Sequence, residues 1–155
     1  MIARRAFVIG TISLAVPASA APNDIAMHLL ALANDSRARS NRHGLHANRR
    51  LATAARGHAQ RMLDLNHLSH TAGGTTMKRR VRAVGYQYRR LTENIAWLKR
   101  RQGTDAAIAA VIHQMWMDSS GHKTNILDRA VTDIGIGVAR RNSTFYAVQL
   151  FGRPA

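Results

Sequence analysis

Apolar residues recur at helical spacing through most of this chain and switch to strict alternation only near its carboxyl end. Over 24–41, Ile25, Leu29 and Leu32 share one helical face, and Asn23-Asp24 offers an amino-terminal cap. That first helix is expected to end near Gly44. A second is expected from about Asn48 to Leu65, with Leu51, Ala55, His58, Met62 and Leu65 on one face and Arg49, Arg50, Arg56 and Arg61 on the other. Gly73-Gly74 breaks the chain, and Thr76 to Val84 predicts a short helix stopped by Gly85. The strongest helical signal opens at the cap Thr104 and Asp105 and runs to about Ser119. Its stripe is Ile108, Val111, Ile112, Met115 and Trp116. Ser119-Ser120-Gly121 interrupts, and His122 to Leu127 predicts one further short turn of helix.

After Asp133 the period falls from 3.6 to 2: Ile134, Ile136 and Val138 alternate with Gly135, Gly137 and Ala139. Arg141-Asn142-Ser143 supplies a turn, and Thr144 to Phe151 reads as the returning strand of an antiparallel hairpin. Gly135 and Gly137 strip one face of the first strand and would let a helix pack close. Between residues 86 and 101 the pattern is mixed and predicts only a short extended piece around Asn94 to Trp97. The fold class is therefore α+β, helices covering a small antiparallel sheet, with no repeat, linker or low-complexity segment.

The first twenty residues stand apart from this pattern. Arg4 and Arg5 precede an apolar run from Ala6 to Val16, and Ala18-Ser19-Ala20 supplies small residues for cleavage. Residues 1–20 thus read as an export signal cut after Ala20, leaving 21–155 as one domain. The run is shorter than the roughly 20 apolar residues of a membrane-spanning helix, and no later segment reaches that length, so no transmembrane anchor is expected. Arg4-Arg5 before Ala6-Phe7-Val8 also resembles a twin-arginine signal; that route and the Sec route both stay open, as do periplasm and full secretion.

Composition narrows the chemistry. The chain has no cysteine, which excludes disulfides, a lipoprotein anchor and thiolate metal ligands. Its formal net charge is +15, of which Arg4 and Arg5 account for two. Such a surface is attracted to polyanions such as lipopolysaccharide, anionic lipid or nucleic acid. The basic residues are scattered, without a stripe of interleaved aromatics, so no specific nucleic-acid motif is read.

Three segments carry candidate chemistry: His67-Leu68-Ser69-His70, Glu93-Asn94-Ile95-Ala96, and Trp116 through Leu127, each at the end of an element. Glu93 is the sole glutamate; every other acid is an aspartate. His122 is expected in the first turn of its helix, where the positive end of the dipole keeps the imidazole neutral. Two imidazoles and a carboxylate suit Zn²⁺ or another divalent metal, with waters filling open positions. No pair sits at a ligand spacing such as H-E-x-x-H. His58 reads as a packing residue and His67 as support for the turn that presents His70. His28, His43, His46 and His113 read as surface, Trp116 as core, and Asn94 and Asn125 as side chains that fix loop backbone. Ser69 and Ser119 lie near histidines without an orienting acid or an oxyanion hole, so serine hydrolysis is disfavoured.

The order L-x-x-x-A-x-x-H-A-x-x-M (Leu51 to Met62), H-L-S-H-T (His67 to Thr71), E-N-I-A, W-M-x-S-x-G-H-K-x-N-I-L, I-G-I-G-V and V-Q-L-F-G resembles bacterial members of the CAP superfamily. That superfamily includes cysteine-rich secretory proteins, antigen 5 and pathogenesis-related 1 proteins. The likeness runs from about Ile25 to Gly152. It implies an α-β-α sandwich whose cleft holds two histidines and two acids, able in some members to bind a divalent metal. By matching motif, His70 and His122 correspond to the histidines and Glu93 to the acid of the E-N motif. The second acid is replaced by Ser119, and Thr92 stands where glycine is usual. Three functions follow as expectations. The first is a monomeric exported binding or scaffold module for a lipid, an anionic cell-envelope polymer or a metal. The second is a metal-assisted hydrolase using Glu93, His70 and His122. The third is a cationic effector acting on membranes by charge.

Overall fold

The computed structural model describes residues 24–155. Asn23 and the expected export signal lie outside the described residues. The first helix, α1, spans Asp24–Arg39 and ends short of the expected Gly44. Its stop is Asn41, not Gly44. Asn41 takes the left-handed conformation at φ 53°, and the Arg42 N–H returns to the Arg37 carbonyl at 2.9 Å, which satisfies the last turn. Strand β1 is two residues, His46–Ala47. Helix α2, Arg49–Leu65, begins at Asn48, whose side chain accepts from the Arg50 and Leu51 N–H groups, and ends at left-handed Asn66. Helix α3, Met77–Ala83, is capped by Thr76, and Gly85 follows at φ 73°.

Strand β2, Tyr88–Lys99, is far longer than the expected piece at Asn94 to Trp97. It pairs antiparallel along almost all of β4, from Lys99↔Thr144 to Tyr88↔Pro154. Charged residues on its exposed ends break the apolar alternation that sequence reasoning relies on. Helix α4 covers Asp105–Asp118 with Thr104 as cap, and α5 covers Ser120–Ile126. Strands β3, Asp133–Arg141, and β4, Thr144–Pro154, form the expected hairpin around Asn142-Ser143.

The sheet order is β1-β3-β4-β2. It is antiparallel except that the two residues of β1 pair parallel with β3, so the sheet is mixed, not wholly antiparallel as expected. Two cores cover its faces. On one, Ile134, Ile136, Val138, Phe145 and Phe151 meet Ile25 and Leu29 of α1 and Ile108, Ile112 and Trp116 of α4. On the other, Ala139, Tyr146, Val148 and Leu150 meet Leu51, Ala55, Ala59 and Met62 of α2. Alternation along β3 makes this division. Gly135 and Gly137 face α2, where a Cβ would run into the backbone at Leu51–Ala52 and at Ala55–Arg56; the helix sits directly on the strand, as expected.

Three side chains depart from the predicted faces. His113, read as surface, is buried, with its Nε2 2.8 Å from the Ser36 hydroxyl. Helix α4 is pressed between α1 and the sheet, which leaves only a narrow exposed face. Leu65 and Met115, assigned to apolar stripes, are exposed; Leu65 is the final residue of α2.

Candidate functional site

The chain's sole glutamate sits on β2, an edge strand of the sheet. Its neighbours alternate: Glu93 stands opposite Leu150 and Asn94 opposite Gln149, so their side chains leave opposite faces. Glu93 is directed toward the α2–α3 layer and Asn94 toward α5.

Glu93 is buried, its side chain only 2% exposed, and both carboxylate oxygens are engaged. Oε1 lies 2.8 Å from His70 Nδ1 and Oε2 accepts from Arg80 Nη2 at 2.5 Å. Arg80 Nη1 also donates to the His70 carbonyl at 2.9 Å and the Thr75 carbonyl at 2.6 Å. One guanidinium thus fixes both the acid and the loop that carries His70. A carboxylate only accepts, so His70 donates through Nδ1, and the ring that carries its Nε2 is about half exposed.

Behind Asn94 a buried amide network holds α5 in place. Asn125 Nδ2 donates to Asn94 Oδ1 at 2.8 Å and to the Glu93 carbonyl at 3.3 Å. Asn94 Nδ2 donates in turn to the His122 carbonyl at 3.1 Å and to Gln149 Oε1 at 3.2 Å. Arg37, buried in α1, donates to the Ile126 and Asp128 carbonyls and steadies the far end of α5. His122 lies in the first turn of α5, half-buried. Burial, then repulsion from the neighbouring His70, lowers its pKa, so its ring is neutral at pH 7 as the sequence implied. Its side chain makes no hydrogen bond among the described residues.

The structure therefore brings Glu93 and His70 into contact and sets His122 within electrostatic reach of His70. Ser119 is the junction between α4 and α5, and its side chain makes no capping hydrogen bond to the helix that follows. His58 is buried with Nε2 2.9 Å from the Ser69 carbonyl, which steadies the loop before His70. His67 closes α2 through its backbone N–H to Met62. Asn94 and Asn125 fix backbone, and Trp116 is core, donating its indole N–H to the Ile95 carbonyl at 3.0 Å.

Sequence reasoning missed Arg80 and Gln149. Arg80 lies in the run Lys78-Arg79-Arg80, where nothing local marks which basic residue turns inward; the available signal was that a buried lone glutamate requires a cation. Arg80 also decides the fit of the expected divalent ion. With His70 it engages both oxygens of Glu93, and among the described residues no group of three or more His, Asp or Glu could hold such an ion. As they stand, His70, Glu93 and His122 do not fit a resident metal ion.

Residues 30–151 match the model of the CAP family, the cysteine-rich secretory protein family. The chain belongs to the CAP family. Among curated proteins, the uncharacterized protein YkwD of Bacillus subtilis is 27% identical over 140 residues, 87% of this chain and 51% of the relative. Among solved structures, an extracellular protein containing an SCP domain from Bacillus anthracis superposes with a TM-score of 0.72 at 30% identity. That match covers 84% of this chain and 41% of the other. An outer surface protein from Borrelia burgdorferi gives 0.73 at 19% identity, over 85% and 94% respectively, which speaks to the CAP fold alone. The chain spans about half the length of the curated relative that it matches.

Proposed function

We propose that this CAP domain is an exported binding module that holds a hydroxyl-rich cell-envelope polymer at the β2 edge, between His70 and His122. The carrying observation is the double engagement of Glu93. With both oxygens held by His70 and Arg80 and almost no exposure, it serves as a strut and is poorly suited to act as a general base on water. What fronts solvent is a pair of imidazole rings. His70 Nε2 has no partner among the described residues, and His122 is neutral with a nitrogen to accept; both rings can hydrogen-bond hydroxyls. No helix among the described residues is long and apolar enough to cross a membrane. Export is supported by the Bacillus anthracis match described as an extracellular protein and by the character of residues 1–20. The charge of +15 would concentrate the protein at an anionic envelope and speed encounter.

Co-sedimentation with purified peptidoglycan sacculi tests this reading. His70→Ala and His122→Ala should each weaken binding about tenfold, the loss of one well-made hydrogen bond, with unchanged circular dichroism and at high salt. Binding that ignores both substitutions and vanishes with salt would reduce the protein to a cationic surface. Release of soluble fragments by the parent chain, abolished by His70→Ala, would replace binding with hydrolysis.

A further inference from the structure

A hollow lies between α2 and α3, with Arg80 in its lining. Its volume is about 330 Å³, room for a small metabolite or one sugar unit. Its walls carry Arg61, Arg79, Arg80 and His58, and no acid. Arg61 and Arg79 have no ion pair or side-chain hydrogen bond among the described residues, although Arg39, Arg90 and Arg141 elsewhere each find an aspartate. Gly73 places one of them. At φ 70° it lacks the Cβ that would stand 2.9 Å from Arg61 Cδ, so the arginine stem lies across the turn and delivers its head to the hollow.

Two buried nitrogens in these walls lack partners: Arg80 Nε, a donor, and His58 Nδ1. His58 is 1% exposed, and its Nε2 faces the Ser69 carbonyl. A carbonyl cannot donate, so Nε2 carries the proton. Burial foremost, and then the Arg80 charge, lowers the His58 pKa and keeps the ring neutral, which leaves Nδ1 as an acceptor. The unpaired Arg61 and Arg79 guanidiniums that line one hollow call for an anion, which guanidiniums bind in a planar, bidentate manner. The orphaned His58 acceptor among the lining residues favours an anion that also carries a hydroxyl. Ala54, Ala72, Ala83 and Val84 give the rest of the wall an apolar character suited to the carbon face of a small ring.

We infer that the α2–α3 hollow is a binding site for a hydroxyl-bearing small anion, of the class of sugar acids, held by Arg61, Arg79 and Arg80. The site uses neither His70 nor His122 and can be tested apart from them. Arg80 is common to both: its Nη2 holds Glu93, while its Nε is buried without a partner.

The test is a titration of the full chain, followed by amide NMR, with D-glucuronate, inorganic phosphate and neutral glucose. Saturable glucuronate binding with a Kd of about 1–10 mM is expected, a weak single-sugar affinity. Arg61→Ala and Arg79→Ala, both at exposed positions, should each raise that Kd about tenfold or more, as loss of a charge-assisted hydrogen bond does. Shifts should centre on residues 53–61 and 75–84. Glucose should not bind, and phosphate should bind more weakly than glucuronate. Equal binding of glucose, absence of saturation by any anion, or insensitivity to both arginine variants would overturn the assignment. Phosphate binding as tightly as glucuronate would overturn the hydroxyl requirement. Glucuronate binding lost with His70→Ala and kept in the arginine variants would move the ligand to the cleft.

Discussion

Replacing Arg80 with methionine should destabilise the domain more than any other single charge removal. The guanidinium neutralises a glutamate side chain that is 2% exposed, while itself only 10% exposed, and donates to two loop carbonyls. Removing one partner of a buried ion pair leaves the other charge desolvated, a cost of about 3–5 kcal/mol. The two carbonyls belong to partly exposed residues and regain water, so they add little. For a domain of this size each kcal/mol lowers Tm by roughly 3–5 °C, so Arg80→Met should melt about 10–20 °C below the parent. Urea denaturation gives the free energy directly. The decisive form is a double-mutant cycle with Glu93→Gln. Once the buried charge is gone, the methionine should cost at least about 2 kcal/mol less, a coupling typical of contacting residues. A loss below about 1 kcal/mol for Arg80→Met, or strict additivity with Glu93→Gln, would refute the strut.

Gly137→Ala should be at least as damaging as a typical overpacking substitution, roughly 3 kcal/mol or more, because the new methyl meets backbone at Ala55–Arg56 and not a movable side chain; urea denaturation of this variant beside Gly57→Ala, where nothing lies within reach, is the measurement. Acid should weaken the fold through its histidines. Burial lowers the pKa of His58 and His113 from the ordinary 6.5, so below that value the unfolded chain binds protons that the folded chain refuses. The stabilisation is complete above pH 6.5 and declines as pH falls toward the folded values, with a slope of up to about 1.4 kcal/mol per pH unit for each buried ring. Urea midpoints compared at about pH 7.5 and 5.5 should fall on acidification, and a flat profile would contradict the burial of both rings.

Local signals carried much of the architecture. Asn48, Thr76 and Thr104 announced the starts of α2, α3 and α4, and the glycine alternation in β3 announced a helix in close contact. Non-local partners decided what was missed. Strand β2 owes its length to β4, some fifty residues away, and its arginines and lysine disguise it as loop. His113 is polar and was assigned outward, yet Ser36 on α1 meets its ring nitrogen. In the candidate site, motif resemblance singled out Glu93, His70 and His122 but gave no warning of Arg80. Three adjacent basic residues in a short helix look alike until the surrounding packing selects one.

The hydrogen bonds at the rim of the sheet also bear on self-association. A twelve-residue edge strand is an invitation to self-templating, since another chain can dock along its unpaired amides and carbonyls. Here the Asn125 amide occupies the Glu93 carbonyl and the Trp116 indole occupies the Ile95 carbonyl, while Arg89, Arg90 and Lys99 charge the two ends. At the opposite rim β1 pairs with only Asp133 and Ile134 of β3. The side chains that hold α5 against β2 therefore also occupy the edge of that strand, so loosening Asn125 should expose the edge to pairing as well as disturb recognition.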